Sequence, residues 1–224
     1  MRNFTVRIFL ILLISVVFTS CFEIIEEVTL HENGSGKILL TFNASQSKSK
    51  LASVMLLDSV QGYKVPSKAA ITEEVTYLVK ELKKANGISN VTYTVDYDSY
   101  IITLGCNFKQ VDNINSFSQS LWDKQRMKGT FKSYDFNLAS KLFKRHFAYA
   151  PKLKKDFNTL KSADKAVFNN ATYTVIYRFD TEVSTYSNQQ AKLSKSKKAM
   201  MMRLPITHII NGESSIENTI QLTK

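Results

Sequence analysis

The chain has 224 residues, 44% hydrophobic and 22% charged, with seven Gly and three Pro. Those figures exclude collagen-like, low-complexity and wholly disordered chains, and a chain of this length buries a sizeable core without staples. The formal charge is +11, and two cysteines and three histidines, none close to another, offer no spacing for a structural zinc site.

In chain order, the first feature is a basic start (Arg2, Arg7), then an apolar or near-apolar run from Ile8 to Phe18, then Thr19-Ser20-Cys21. The run has eleven residues. That suits the h-region of a secretory signal peptide and falls short of the roughly 20 needed to cross a bilayer of about 30 Å as a helix.

Small residues running directly into cysteine resemble the lipobox of bacterial lipoproteins: aliphatic, small, small, Cys. Thr19, Ser20 and Cys21 match its last three places, and Phe18 stands where Leu, Val or Ala is usual. Looser lipoboxes of this kind, with a Lys- and Asn-rich composition, resemble the Bacteroidetes type. The resemblance implies that residues 1–20 are a signal peptide and that Cys21 receives a diacylglyceryl group and becomes the new N-terminus. A triacylated cysteine is a stable membrane tether, each buried methylene contributing about 0.8 kcal/mol. Phe22, in place of the Asp that favours inner-membrane retention, implies an outer-membrane anchor facing the periplasm. Glu26 and Glu27 flank the tether and echo an acidic surface-export signal.

Beyond the tether, period-two alternation dominates. Ile24 to Leu30 and Lys37 to Phe42 are predicted strands joined at Asn33-Gly34, a hairpin dipeptide. Ser47 to Leu57 is a predicted helix. Between Ile71 and Leu82, residues Ile71, Val75, Leu78, Val79 and Leu82 make one helical stripe, with Thr72 as cap and Asn86-Gly87 as stop. Val91 to Tyr97 and Tyr100 to Phe108 form a second hairpin about Asp98-Ser99, with Cys106 on its inward face. Asp112 to about Arg126 is a further helix. Lys132 to Leu138, Leu142 to Tyr149, Thr172 to Asp180, Lys198 to Leu204 and Ile216 to Leu222 read as strands, and Pro151 to Lys161 as a short amphipathic helix with Leu153, Phe157 and Leu160 as its stripe. The order predicts one α+β domain over 21–224: an antiparallel sheet built from hairpins, two or three helices on one face. The early turn from Asn33 to Gly36 and a late hairpin around Val183 to Met202 resemble the LppM-like mycobacterial lipoproteins, which implies a soluble α+β domain that binds lipid.

Without the signal peptide the charge is +9, and Lys124 to Lys165, with twelve Lys/Arg and three Asp, carry the same +9. The rest balances. Lys144, Arg145, Lys152, Lys154 and Lys155 are the candidate membrane or anion contacts; near an anionic surface each contributes about 1 kcal/mol. On an exported chain this basic region meets lipid head groups and polysaccharide, and nucleic acid is not an expected partner. Asp58-Ser59-Val60 resembles the Bacteroidetes O-glycosylation site, at Ser59.

No HExxH, GxSxG, P-loop or GxGxxG occurs in the chain, so no local motif points to those chemistries. Ser45, Ser47 and Ser194, each three residues before a Lys, lie in Ser/Lys-rich stretches, and the histidines have no acid or thiol at a recognisable spacing. The expectation is a non-catalytic protein without cofactor. It binds a lipid or other amphiphile in a cavity between sheet and helices, or it serves as a structural subunit of an envelope complex.

Overall fold

The structure, a computed structural model, describes residues 22–60, 62–124 and 129–224; the signal segment, Cys21 and the helix end at Arg126 lie outside them. In chain order the elements are β1 (Glu23–Leu30), β2 (Gly36–Asn43), α1 (Lys48–Val54), β3 (Ser59–Val60), β4 (Tyr63–Lys64), α2 (Lys68–Lys84), β5 (Ile88–Asp96), β6 (Ile101–Phe108), α3 (Ile114–Lys124), β7 (Tyr134–Asn137), β8 (Leu142–Arg145), α4 (Pro151–Thr159), α5 (Ser162–Lys165), β9 (Thr172–Phe179), β10 (Val183–Tyr186), β11 (Lys192–Leu193), β12 (Ala199–Pro205), α6 (Ile206–Asn211) and β13 (Asn218–Leu222). The fold is α+β, as the alternation predicts.

A seven-stranded sheet runs β11-β12-β9-β1-β2-β6-β5, and a four-stranded sheet runs β10-β13-β8-β7. Pairing is antiparallel except between β1 and β9, which lie parallel in register from Glu23 opposite Thr172 to Leu30 opposite Phe179. Hairpin logic could not have shown this. Parallel neighbours need a long crossover, and the segments between β1 and β9 supply it.

The inner face of the large sheet carries Val28, Leu30, Ile38, Leu104, Cys106, Val175, Tyr177 and Met202. These form one core with Val75, Val79 and Leu82 of α2, Ile114 and Phe117 of α3, and Phe143, Ile220 and Leu222 of the smaller sheet. The helices and the second sheet therefore share one cover. The late hairpin is narrower than expected: β11 pairs β12, while Val183 to Tyr186 belong to the other sheet on β13.

Local chemistry fixes the ends. In the β1–β2 turn the Asn33 side chain accepts from Ser35 N at 2.9 Å, and Gly34 takes φ +86°, where a side chain is strained. A Cβ on Gly36 would lie 1.9 Å from Thr29 O, so only glycine can start β2. The α2 cap is Ser67, accepting from Ala70 N at 3.1 Å, not Thr72; the helix begins one turn earlier because Lys68-Ala69-Ala70 continue it, and Thr72 Oγ1 donates to Lys68 O at 2.9 Å. Tyr93 is 46% exposed, since β5 is an edge strand with a bulge between Ser89 and Thr92.

Candidate functional site

The described chain begins at Phe22, and this end of the molecule carries an apolar pocket of about 410 Å³. Its floor is the end of the inner sheet face, with Phe42, Val95 and Ile102; Leu51 and Met55 from the α1 region and Ile71 of α2 close the sides, and Phe22 itself lines it. The volume lies within the span of ligand pockets, about 300–1,000 Å³. Its one carboxylate, Asp96, is turned to its own loop: Oδ1 accepts from Asp98 N at 2.8 Å and Ser99 N at 2.9 Å. Those backbone donors, Ser99 first, lower its pKa.

Aromatic contacts run outward from the pocket. Phe42 and Phe22 lie 5.5 Å apart between ring centroids, Phe22 and Phe168 5.7 Å, and Phe168 and Phe157 5.4 Å. Phe157 belongs to α4, the predicted amphipathic segment, which contributes no buried residue. Lys152, Lys154 and Lys155 are all exposed on it. Tyr149 Oη donates to Ile210 O at 3.3 Å, seating the start of the arm beside α6. The expected stripe divides: Phe157 turns to Phe168, while Leu153, 55% exposed, borders a second apolar hollow beside the stacked Trp122 and Phe131 rings.

Arg145 is not a surface contact. It is buried with Glu26, the residue expected to flank the tether. Arg145 Nε donates to Glu26 Oε1 at 2.9 Å and Nη2 to Oε2 at 2.8 Å. Tyr173 Oη donates to Oε2 at 2.7 Å and Tyr177 Oη to Oε1 at 3.3 Å. Nη1 reaches His146 O at 2.6 Å. Burial alone would push the Glu26 carboxyl up, but the guanidinium beside it and the hydrogen bonds it accepts hold it below its ordinary 4.5. The physical reason for the correction is strand parity: β8 turns Phe143 and Arg145 inward and leaves Lys144 half-buried on the other side. A charge run in sequence does not report which alternate residues face the core. Nor could the sequence have paired Glu26 with a partner 119 positions away.

The remaining candidates are scattered. Ser59 is exposed on β3. Cys106 is buried, and burial pushes its thiol up to about 11. The structure gives two histidines acidic partners that sequence spacing could not show, Asp180 at 3.1 Å from His31 and Glu213 at 3.8 Å from His208. Ser194 Oγ serves its own turn, bonding Ser196 Oγ and accepting from Ala199 N. A polar groove of about 590 Å³ crosses the outer sheet face between Thr29, Asn90, Asn107 and Arg178; no motif announced it. Among the described residues no group of His, Cys, Asp or Glu could hold a metal ion, and no helix is long and apolar enough to cross a membrane.

Fold and site together define an α+β domain with an apolar pocket and a basic arm at its N-terminal end. No family model and no curated protein matches the chain. Among solved structures it is similar to the folded domain of LppM from Mycobacterium tuberculosis, at 11% identity and a TM-score of 0.42, covering 90% of this chain and 88% of that one. No function passes between the chains on a likeness of that degree.

Proposed function

We propose that this protein is an envelope lipoprotein, held through acylated Cys21 and without catalytic activity, that binds a lipid or other amphiphile in the pocket at its anchored end. One observation carries the reading: Phe22, the neighbour of Cys21, both lines the pocket and lies one ring away from the arm through Phe168. Phe22, pocket and basic arm therefore meet at one end of the molecule. Cys21 directly precedes Phe22 in the sequence and consecutive Cα atoms are about 3.8 Å apart, so acylation of Cys21 would bring the Phe22 end to the bilayer, where amphiphiles are concentrated. The arm adds lysines whose stems lie along apolar surface while their ammonium groups reach lipid phosphates. The expected address is the outer membrane, facing the periplasm.

Two measurements test this. Metabolic labelling with a palmitate analogue tags the wild type and not Cys21→Ser; equal labelling of both refutes the anchor. Native mass spectrometry of protein released from the membrane shows a bound amphiphile that Ile102→Trp, which fills the pocket floor, excludes. A stable protein complex in detergent with an empty pocket would instead support an assembly subunit.

A further inference from the structure

The turn after α1 exposes two consecutive leucines, Leu56 at 87% and Leu57 at 52%. Leu56 is the most exposed of the large hydrophobic side chains among the described residues. The turn is held in place: Leu56 N donates to Ser53 O at 3.3 Å, Leu57 N to Val54 O at 3.0 Å, and Val65 N to Asp58 O at 3.0 Å closes the hairpin behind it. Two large apolar side chains are thus presented to solvent side by side on a hydrogen-bonded turn, and exposed apolar groups that cluster mark interaction sites.

The neighbours say what covers them. Met55, the preceding residue, lines the same pocket as Phe22, and Val65 across the hairpin lines it too. The leucines therefore stand at the rim of the anchored end. On the same stretch of chain Lys48, Lys50, Lys64 and Lys68 are exposed, with Asp58 the one acid between residues 48 and 68. Exposed leucines on a segment with exposed lysines match an anionic bilayer surface: apolar tips for the acyl boundary, ammonium groups for the phosphates.

We propose that the Leu56-Leu57 turn is a bilayer-inserting contact that sets the pocket rim into the lipid interface, separate from the arm. It rests on the anchored-end reading above and adds a contact surface to it. The turn supplies what lysines alone cannot, attachment that survives salt, because buried apolar area is not screened.

The test uses the full chain reconstituted in vesicles of neutral and anionic phospholipid. In a Trp122→Phe background, Leu57→Trp is the sole tryptophan, and Leu138→Trp, at a site 48% exposed in the turn between β7 and β8, is its control. The expected result is a blue shift of the residue 57 emission and its quenching by lipids brominated near the glycerol, unchanged at high salt, with Leu138→Trp remaining water-like. Equal behaviour at both sites, or a water-like residue 57, overturns the proposal. A shift that appears only when envelope proteins are added also overturns it, in favour of a protein partner. Lipid co-purification is scored on the same samples: loss of bound amphiphile with residue 57 still inserted refutes the pocket reading alone.

Discussion

The Glu26–Arg145 pair gives the sharpest prediction, because the consequence of breaking it has a sign as well as a size. Arg145→Met removes the donors at 2.9 and 2.8 Å and leaves a carboxylate, 2% exposed, with only tyrosine hydroxyls at 2.7 and 3.3 Å. Breaking one side of a buried ion pair costs about 3–5 kcal/mol, which for a domain of this size is roughly 6–20 °C in melting temperature. In the wild type Glu26 titrates below its ordinary 4.5, so its contribution is complete above that value and is lost as pH falls through the lower, folded pKa. In Arg145→Met the guanidinium is gone and burial prevails, raising the folded pKa above 4.5. The variant is then least stable at neutral pH and regains stability as pH falls toward 4.5, where the buried carboxyl takes up a proton. The stability difference between the two proteins should therefore shrink on acidification. Adding Glu26→Gln to Arg145→Met should recover most of the loss at pH 7, since no charge is left unpaired. Urea unfolding at pH 7 and pH 5 measures all of this. A difference that does not change with pH, or a double variant no better than Arg145→Met, would refute the buried-charge account.

Two further predictions follow from exposure and burial. Replacing Lys152, Lys154 and Lys155 by Gln should weaken attachment to anionic vesicles in a salt-dependent way, since exposed charges are screened beyond about 10 Å at 0.1 M. The melting temperature should stay put, because the pair that Lys152 makes with Asp156 is exposed at both ends and such pairs contribute about 0–1 kcal/mol; unfolding of the triple variant would show that the arm is ordinary structure. Cys106, with its thiol pushed up to about 11, should resist maleimide at pH 8 in the native protein and react once urea unfolds it, and rapid native labelling would contradict its burial.

The sequence by itself determined much of the local structure. Alternation located β1, β2 and β6 to within a residue and β5 with its start three residues late, because a half-buried strand must place apolar side chains on one side, while the two-residue strands β3 and β4 are too short to show a period. The stripe of Val75, Val79 and Leu82 located α2, and its start alone was misjudged, since several residues before an amphipathic stripe can cap and only geometry selects Ser67. The amphipathic segment after Pro151 was legible because Pro151 marks a first turn and its lysines flank so few apolar residues. Tertiary structure decided everything that depends on distant pairs. The parallel seating of β9 on β1 joins residues about 149 positions apart, and a strand carries no local record of which neighbour it takes. The pocket draws on Phe22, Phe42, Leu51, Ile71, Ile102 and Val167, each an ordinary core-type residue in its own segment. Arg145 shows the limit most directly: beside Lys144 in the basic region from Lys124 to Lys165 it read as a surface contact. The pleat turns its side chain to the core, where a carboxylate from the other end of the chain makes a buried charge tolerable.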